Sequence, residues 1–150
     1  MPQSYTCLHY HIVFSTKHRA PIITAEIRTR LWEYLGGIVV GHRGIPIQIG
    51  GIEDHVHLLV TLRQQPALAD FIRALKAGSS HWMHDTFPGA HQFSWQTGYG
   101  AFTVSHSARD AVKAYIANQE EHHKRQAFQD EFRGLLKNHE IEFDEKYLWD

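Results

Sequence analysis

Histidine is the residue type that stands out in this chain, with 13 among 150 residues. Imidazole binds metal ions and transfers protons near neutral pH, so the surplus justifies a search for a site. His55 and His57 flank the apolar Val56 in a segment whose composition predicts a β-strand. Because alternate strand residues share a face, both imidazoles would project side by side and offer two metal ligands. His9 and His11 have the same spacing, and chance alone produces roughly one such pair here, so sheet packing stays the alternative for both pairs.

A second candidate combines Tyr115 with Gln119. Four residues apart in a predicted helix, the two side chains would lie on one helix face. A tyrosine hydroxyl can act as a nucleophile when a base or a metal ion assists it. The amide oxygen of glutamine is a ligand that hard divalent cations accept. The alternative is structural, with the tyrosine partly buried in the core and the glutamine solvated.

Basic and aromatic residues offer a third, weaker pattern. Basic side chains can follow phosphates, and aromatic faces can stack on unpaired bases. The candidates for nucleic-acid contact are Lys17, Arg19, Arg73, Lys76, Trp95 and Tyr99. Solvated helix faces and aromatic residues that anchor a loop would produce the same pattern. The net charge of −1 provides no overall basic field, so binding of nucleic acid requires these charges to be concentrated in one groove.

Length and composition set the class of protein. A chain of 150 residues, 43% hydrophobic and 21% charged, predicts one globular domain over residues 1–150. No apolar run reaches the length of a membrane span, and Cys7 has no second cysteine with which to form a disulfide bond. We therefore expect a cytoplasmic protein. The sequence contains no glycine-rich phosphate loop.

Hydrophobic periodicity indicates which elements position these residues. In chain order the predicted elements are a strand over 5–15, a helix from Thr24, a hairpin of strands 45–49 and 55–62, a helix after Pro66, a strand over 101–105, one helix from Ser107 toward Lys124, and a last amphipathic segment. The order β-α-β-β-α-β predicts an α+β fold of the ferredoxin-like, split βαβ type. Its antiparallel sheet carries helices on one face, and C-terminal helices are added to it.

Three segments, taken together and in order, resemble one family. They are the His55-Val56-His57 strand, the stretch from Trp95 to Ser105 (WQTGYGAFTVS), and the stretch from Tyr115 to His123 (YIANQEEHH). This combination resembles the single-tyrosine HUH transposases of the IS-two-hundred/IS-six-oh-five insertion sequences. The closing segment from Phe132 to Asp150 is also similar to that family's C-terminal tail.

The resemblance implies a mechanism and partners. His55, His57 and Gln119 would bind a divalent metal ion, Mg²⁺ or alternatively Mn²⁺. Tyr115 would attack a phosphate of single-stranded DNA, form a 5′-phosphotyrosine bond and release a 3′-hydroxyl, without a nucleotide cofactor. Family members act as homodimers and recognise DNA hairpins near the element ends. The resemblance thus implies a bacterial or archaeal protein that associates with the nucleoid when active.

Two other functions stay open from the sequence. The chain could be a domesticated nucleic-acid-binding domain that no longer cuts DNA, although both histidines, Tyr115 and Gln119 are present. It could also be a histidine-triad nucleotide hydrolase, which also places histidines at alternate strand positions. Leu59 stands where that class requires its third histidine, so this alternative lacks a nucleophile.

Overall fold

Four strands form one antiparallel sheet in the computed structural model, which describes residues 3–150. The strands are β1 (Leu8–Ser15), β2 (Ile45–Ile52), β3 (His55–Leu62) and β4 (Gly100–Val104). Their order across the sheet is β2-β3-β1-β4, so the two strands nearest in sequence to the chain ends, β1 and β4, pair with each other. The helices are α1 (Ala25–Gly41), α2 (Leu68–Thr86), α3 (Arg109–Ala117), α4 (Gln119–His122) and α5 (Phe128–Asn138). This architecture confirms the predicted α+β fold.

The two faces of the sheet have different partners because side chains alternate along β1 and β3. One face supplies Ile12, Phe14, Val56, Leu58 and Val60 to the main hydrophobic core, against α1 and α2. This packing confirms the prediction that the two crossover helices share one face. The opposite face carries the histidines of β1 and β3, and α3 and α5 cover it.

A smaller hydrophobic cluster holds α5 against the histidine-bearing face. Phe128, Phe132 and Leu136 of α5 pack against Val13 and Phe102 of the sheet. These three residues recur at spacings of four, which places them on one side of the helix. The C-terminal segment is therefore fixed over the sheet beside the histidines.

The prediction of one continuous helix from Ser107 toward Lys124 is wrong, because the structure has two shorter helices there. Helix α3 ends at Ala117, and the backbone of Asn118 (φ −98°, ψ 21°) leaves helical geometry before α4 begins at Gln119. The amide of His122 still donates to the carbonyl of Asn118, so the chain resumes a helical path after the break. Tyr115 and Gln119 thus lie on successive short helices rather than on one continuous face. Strand β2 is also longer than the predicted strand 45–49, since it continues through Gly50 and Gly51 to Ile52.

Gly50 allows α3 to approach the sheet. A Cβ atom at this position would overlap the backbone carbonyl oxygen of Ile116, the residue that follows Tyr115. Helix α3 therefore rests directly on the backbone of β2, and only glycine permits that separation.

We expect Gly50→Ala to destabilise the protein by about 1–3 kcal/mol, because α3 must move away from the sheet. Thermal denaturation followed by circular dichroism measures the change. Gly37→Ala is the control, since a Cβ at Gly37 meets no atom within 4 Å on the exposed side of α1. Alanine there should be neutral or stabilising by up to ~1 kcal/mol. Equal melting temperatures for Gly50→Ala and the wild type would contradict the close approach of α3.

Of the helices in residues 3–150, none combines the length and the apolar character that crossing a bilayer requires.

Candidate active site

Glu131 of α5 lies at the centre of a buried group of imidazoles. Its side chain is 3% exposed, although it is ionisable. Its Oε1 lies 3.0 Å from His57 Nε2, 3.1 Å from His123 Nε2 and 3.5 Å from His55 Nε2. One ligand atom from each of these four residues lies within 4.8 Å of all the others. Buried carboxylates and imidazoles at this separation are arranged to hold a metal ion.

The outer nitrogens of both strand histidines have partners of their own. His55 Nδ1 lies 2.8 Å from Asp54 Oδ1, and His57 Nδ1 lies 2.8 Å from His11 Nε2. Without metal, the Nε2–H of His57 donates to Glu131 Oε1. In the tautomer that a bound metal would require, Nδ1 is protonated and donates to the outer partner, and the lone pair of Nε2 faces the cluster. Such outer hydrogen bonds fix ring orientation and tautomer in metal sites. The donor set therefore fits a divalent cation.

The protonation states agree with this arrangement. Burial lowers the pKa of His57 to about 4 and that of His11 to about 3, so both rings are neutral at pH 7. Burial alone would raise the pKa of Glu131, but hydrogen bonds from His123, His57 and Tyr115 outweigh it and hold that pKa well below its usual range. The centre thus combines a neutral His57 imidazole with a charged Glu131 carboxylate, the forms that bind metal. Burial alone would lower the pKa of His123, but its hydrogen bond to Glu131 outweighs burial and raises that pKa.

Gln119 joins the same group from α4. Its side chain is 1% exposed, and its Oε1 lies 3.0 Å from His55 Nε2 and 2.9 Å from His123 Nε2. Its Nε2 donates to Glu131 Oε2 at 3.1 Å. The structure therefore brings the three residues predicted to bind metal, His55, His57 and Gln119, into one cluster.

Tyr115 reaches the cluster from α3. Its hydroxyl donates to Glu131 Oε2, and its ring centre lies 5.8 Å from that of His57. Burial and the Glu131 carboxylate raise the pKa of Tyr115. A cleft of about 590 Å³ between β4, α3 and α5 is lined by Tyr115, His11 and Glu131 among others. The hydroxyl is thus protonated, oriented by a carboxylate and next to an opening.

The basic residues predicted to contact DNA have different environments. Lys17 and Arg19 are exposed just beyond the end of β1 where Ser15 pairs with His55. Arg73 is exposed and pairs with Asp70 at 3.1 Å on α2.

Lys76 is held against the chain rather than presented to solvent. Its Nζ donates to the backbone carbonyls of Gln96, Thr97 and Gly98. Burial lowers the pKa of Lys76 to about 8. Because its three donors serve the 96–98 loop, Lys76 fastens that loop to α2.

The environment of Trp95 contradicts the prediction that its ring stacks on a base. It is 7% exposed, its Nε1 donates to Ser79 Oγ at 2.9 Å, and its ring packs edge-on against Phe14 and Phe93. A ring with both its faces in the core cannot stack on a base, so the prediction for Trp95 is wrong. Tyr99 is 40% exposed, and the Lys76 ammonium lies over its ring at 5.6 Å from the ring centre.

Glu131 is a site residue that no motif identified, whereas His11, Asp54 and His123 lie in or beside the motifs but were not predicted as site residues. Glu131 carries a usable sequence signal, since it falls within the apolar stripe of α5 between Phe128 and Phe132. A carboxylate in an apolar stripe requires a buried partner. That signal selects Glu131 over its neighbour Asp130.

Comparisons with known proteins support a transposase. The family model described as "Transposase IS200 like" matches residues 4–119. The ISDra2 transposase TnpA of Deinococcus radiodurans is 30% identical over 117 residues, which cover 75% of this chain and 84% of that protein. His123 and Glu131 lie beyond the residues that the family model matches.

Two solved structures share the fold. A crystal structure of a candidate transposase from Deinococcus radiodurans R1 superposes with a TM-score of 0.63 at 29% identity, covering 79% of this chain and 96% of that one. A REP-associated tyrosine transposase bound to a REP hairpin has a TM-score of 0.61 at 13% identity, covering 82% of this chain and 73% of that one. The second likeness concerns the fold alone. With a family model over most of its length and a relative at 30% identity, the chain belongs to the IS200-like transposase family.

Proposed function

We propose that the protein is a DNA transposase that cuts and rejoins single-stranded DNA at insertion-sequence ends through a 5′-phosphotyrosine intermediate. The observation that carries this proposal is the position of the Tyr115 hydroxyl, on the Glu131 carboxylate and beside His57. Metal-assisted phosphoryl transfer to a side chain requires a nucleophile next to a set of metal ligands. Membership in a transposase family supports DNA as the substrate. In this proposal residues 1–150 act as one HUH transposase domain.

The proposed metal ligands are His55, His57 and Gln119, with Glu131 as a further ligand from α5. Imidazole nitrogens combined with carboxylate and amide oxygens suit Mn²⁺ and Mg²⁺. A divalent cation bound there would act as a Lewis acid on the scissile phosphate. Asp54 and His11 orient the two strand imidazoles through their Nδ1 atoms.

Glu131 and Tyr115 have distinct roles in the proposed reaction. Glu131 Oε2 orients the Tyr115 hydroxyl and accepts its proton as the bond from the phenolic oxygen to phosphorus forms. The bond from phosphorus to the 3′-oxygen breaks, and that oxygen leaves as a hydroxyl after taking up a proton from solvent. Attack by a 3′-hydroxyl on the phosphotyrosine reverses these steps and joins strands. Because one phosphate ester replaces another, no nucleotide cofactor is needed.

We further propose that the substrate ends are DNA hairpins and that the active form is a homodimer, as the sequence resemblance implies. The neighbour at 13% identity has a REP hairpin bound in its structure, which supports the first point only by analogy. In this chain Tyr115 lies beside the histidines of the same chain, so one subunit contains every proposed site residue. The cytoplasmic location with nucleoid association stays a prediction from the sequence.

A covalent adduct tests the proposal directly. The protein is incubated with single-stranded DNA from the flanks of its own gene, with Mg²⁺ or Mn²⁺, and run on a denaturing gel. We expect a slow-migrating protein–DNA band that requires metal, and peptide mapping by mass spectrometry should place the DNA on Tyr115. Hairpin binding by folded protein without any adduct would overturn the proposal and indicate a non-cleaving DNA-binding domain instead.

Replacing Glu131 tests whether α5 supplies a metal ligand. We expect Glu131→Gln to weaken Mn²⁺ binding by at least about tenfold, because a charged ligand becomes a neutral one of the same size. Isothermal titration calorimetry measures the affinity. Asp130→Asn is a matched control, since Asp130 is the neighbouring acid on the same helix and its side chain is 65% exposed. Unchanged Mn²⁺ affinity in Glu131→Gln would show that Glu131 is not a ligand.

A further inference from the structure

Cys7, His9 and His106 form a second group of potential metal ligands, which shares no residue with the candidate active site. The group lies on the histidine-bearing face, but His9 pairs with Thr61 near one end of β3 while His55 and His57 lie near the other end. Cys7 immediately precedes β1, and His106 begins the short 3₁₀ turn (His106–Ala108) that joins β4 to α3. Residues almost a hundred positions apart thus meet through the pairing of β1 with β4.

The separations of the three ligand atoms match a tetrahedral zinc site. Cys7 Sγ lies 3.3 Å from His9 Nε2 and 3.7 Å from His106 Nδ1, and the two nitrogens are 3.1 Å apart. With Zn–S near 2.3 Å and Zn–N near 2.0–2.1 Å, tetrahedral angles require roughly 3.6 Å between sulfur and nitrogen and about 3.3 Å between nitrogens. The three atoms therefore need to move by only a few tenths of an ångström to share one ion.

Thr61 provides the outer hydrogen bond that metal-bound histidines usually make. Its Oγ1 lies 2.8 Å from His9 Nδ1, on the strand directly across from His9. With Nδ1 protonated, His9 donates to this hydroxyl and turns the lone pair of Nε2 toward Cys7 and His106. His9 is 7% exposed, so its ring orientation is fixed by packing as well.

Arg109 is a cation that contacts this group. Its Nη2 donates to His106 Nε2 at 2.9 Å, while its Nε donates to the backbone carbonyl of His106 at 3.0 Å. A metal at Nδ1 puts the proton of His106 on Nε2, so the first of these hydrogen bonds must break. The second hydrogen bond is compatible with the metal and can hold the guanidinium at a slightly different angle.

We propose that Cys7, His9 and His106 bind one Zn²⁺ ion, with water in the fourth position. A thiolate with two imidazoles favours zinc over Mg²⁺ or Ca²⁺, which take oxygen ligands. Binding converts the Cys7 thiol to a thiolate and releases its proton to solvent. The ion ties the start of β1 to the turn that leads into α3, the helix that carries Tyr115.

Cobalt(II) substitution tests the proposal because the chain has a single cysteine. The metal-free full-length protein is titrated with Co²⁺, and its near-ultraviolet and visible absorption is recorded. We expect a thiolate-to-cobalt charge-transfer band that saturates at one Co²⁺ per chain. This stoichiometry should be the same at every protein concentration, and added Zn²⁺ should remove the band. The candidate active site contains no sulfur ligand, so Co²⁺ bound there cannot produce this band.

Two variants test the ligands, and a third tests the outer hydrogen bond. Cys7→Ser should abolish the band and bind one fewer Zn²⁺ per chain, and His106→Ala should weaken Zn²⁺ binding by at least about tenfold. Thr61→Val should weaken it by about tenfold through loss of the hydrogen bond to His9. The exposed His91→Ala should behave as the wild type.

Two results would overturn the site. One is the absence of a charge-transfer band in folded wild-type protein. The other is a band that His106→Ala leaves unchanged, which would indicate Cys7 binding metal without the second histidine. These measurements do not depend on strand cleavage. They can therefore disprove the zinc site without affecting the proposed transposase activity, and the cleavage test can disprove that activity without affecting the zinc site.

Discussion

Tyr115→Phe is expected to eliminate the covalent protein–DNA adduct and to lower strand cleavage by at least ~10³-fold, because phenylalanine has no oxygen to attack phosphorus. Binding of single-stranded DNA should be unchanged, since the substitution removes one hydroxyl and its hydrogen bond to Glu131. A denaturing gel measures the adduct, and a filter or mobility-shift assay measures binding.

Tyr147→Phe is the matched control for this prediction. Tyr147 is 62% exposed and lies in the C-terminal 3₁₀ turn (Glu145–Tyr147). The same substitution there should leave the adduct intact. An adduct that persists in Tyr115→Phe and disappears in another tyrosine variant would move the nucleophile to that residue.

His57→Ala is expected to have the second largest effect. The substitution removes the imidazole at the centre of the cluster that contacts both His11 and Glu131. We expect metal affinity to fall by at least about 100-fold, since even the loss of an outer partner costs 10–100-fold. Cleavage should fall by a similar factor, because Lewis-acid stabilisation of about 3 kcal/mol corresponds to roughly 100-fold in rate.

Calorimetry with Mn²⁺ and the cleavage gel measure the two effects separately. His91→Ala again serves as the exposed control. Circular dichroism must show that His57→Ala is folded, since His57 is fully buried and its loss leaves a cavity. Folded His57→Ala with wild-type metal affinity and cleavage would exclude the histidine cluster as the metal centre.

The fold follows from local patterns that one sequence contains. Alternating apolar residues in β1 and β3 and helical spacing in α1 and α2 determine the order of elements and hence the ferredoxin-like sheet. The break at Asn118 was not predictable, because the Tyr115–His123 segment has no proline or glycine to mark it. Its cause is tertiary, since Gln119 turns inward to contact His55 and Glu131.

The candidate site was predictable only in part. Spacing identified His55, His57, Tyr115 and Gln119, because each pair is local in sequence. Glu131 comes from a helix whose position over the sheet depends on Phe132 packing against Val13, a contact between distant residues. Spacing grouped His11 with His9, but in the structure the two residues belong to different clusters. His11 contacts His57, whereas His9 contacts Cys7 and His106.

The pairing of β1 with β3 has a consequence for folding errors. His9 and His11 stand opposite Thr61 and Leu59 in this register, and His55 and His57 stand opposite Ser15 and Val13. A slip of β3 by one residue would turn both of its histidines into the hydrophobic core and remove Thr61 from His9. Burying unpaired imidazoles in that core is costly, so the misaligned sheet is unstable as well as inactive. Because the histidines alternate with core residues along the strand, correct register and the candidate metal ligands depend on each other. A chain with a misaligned β3 loses both His55 and His57 from the cluster at once.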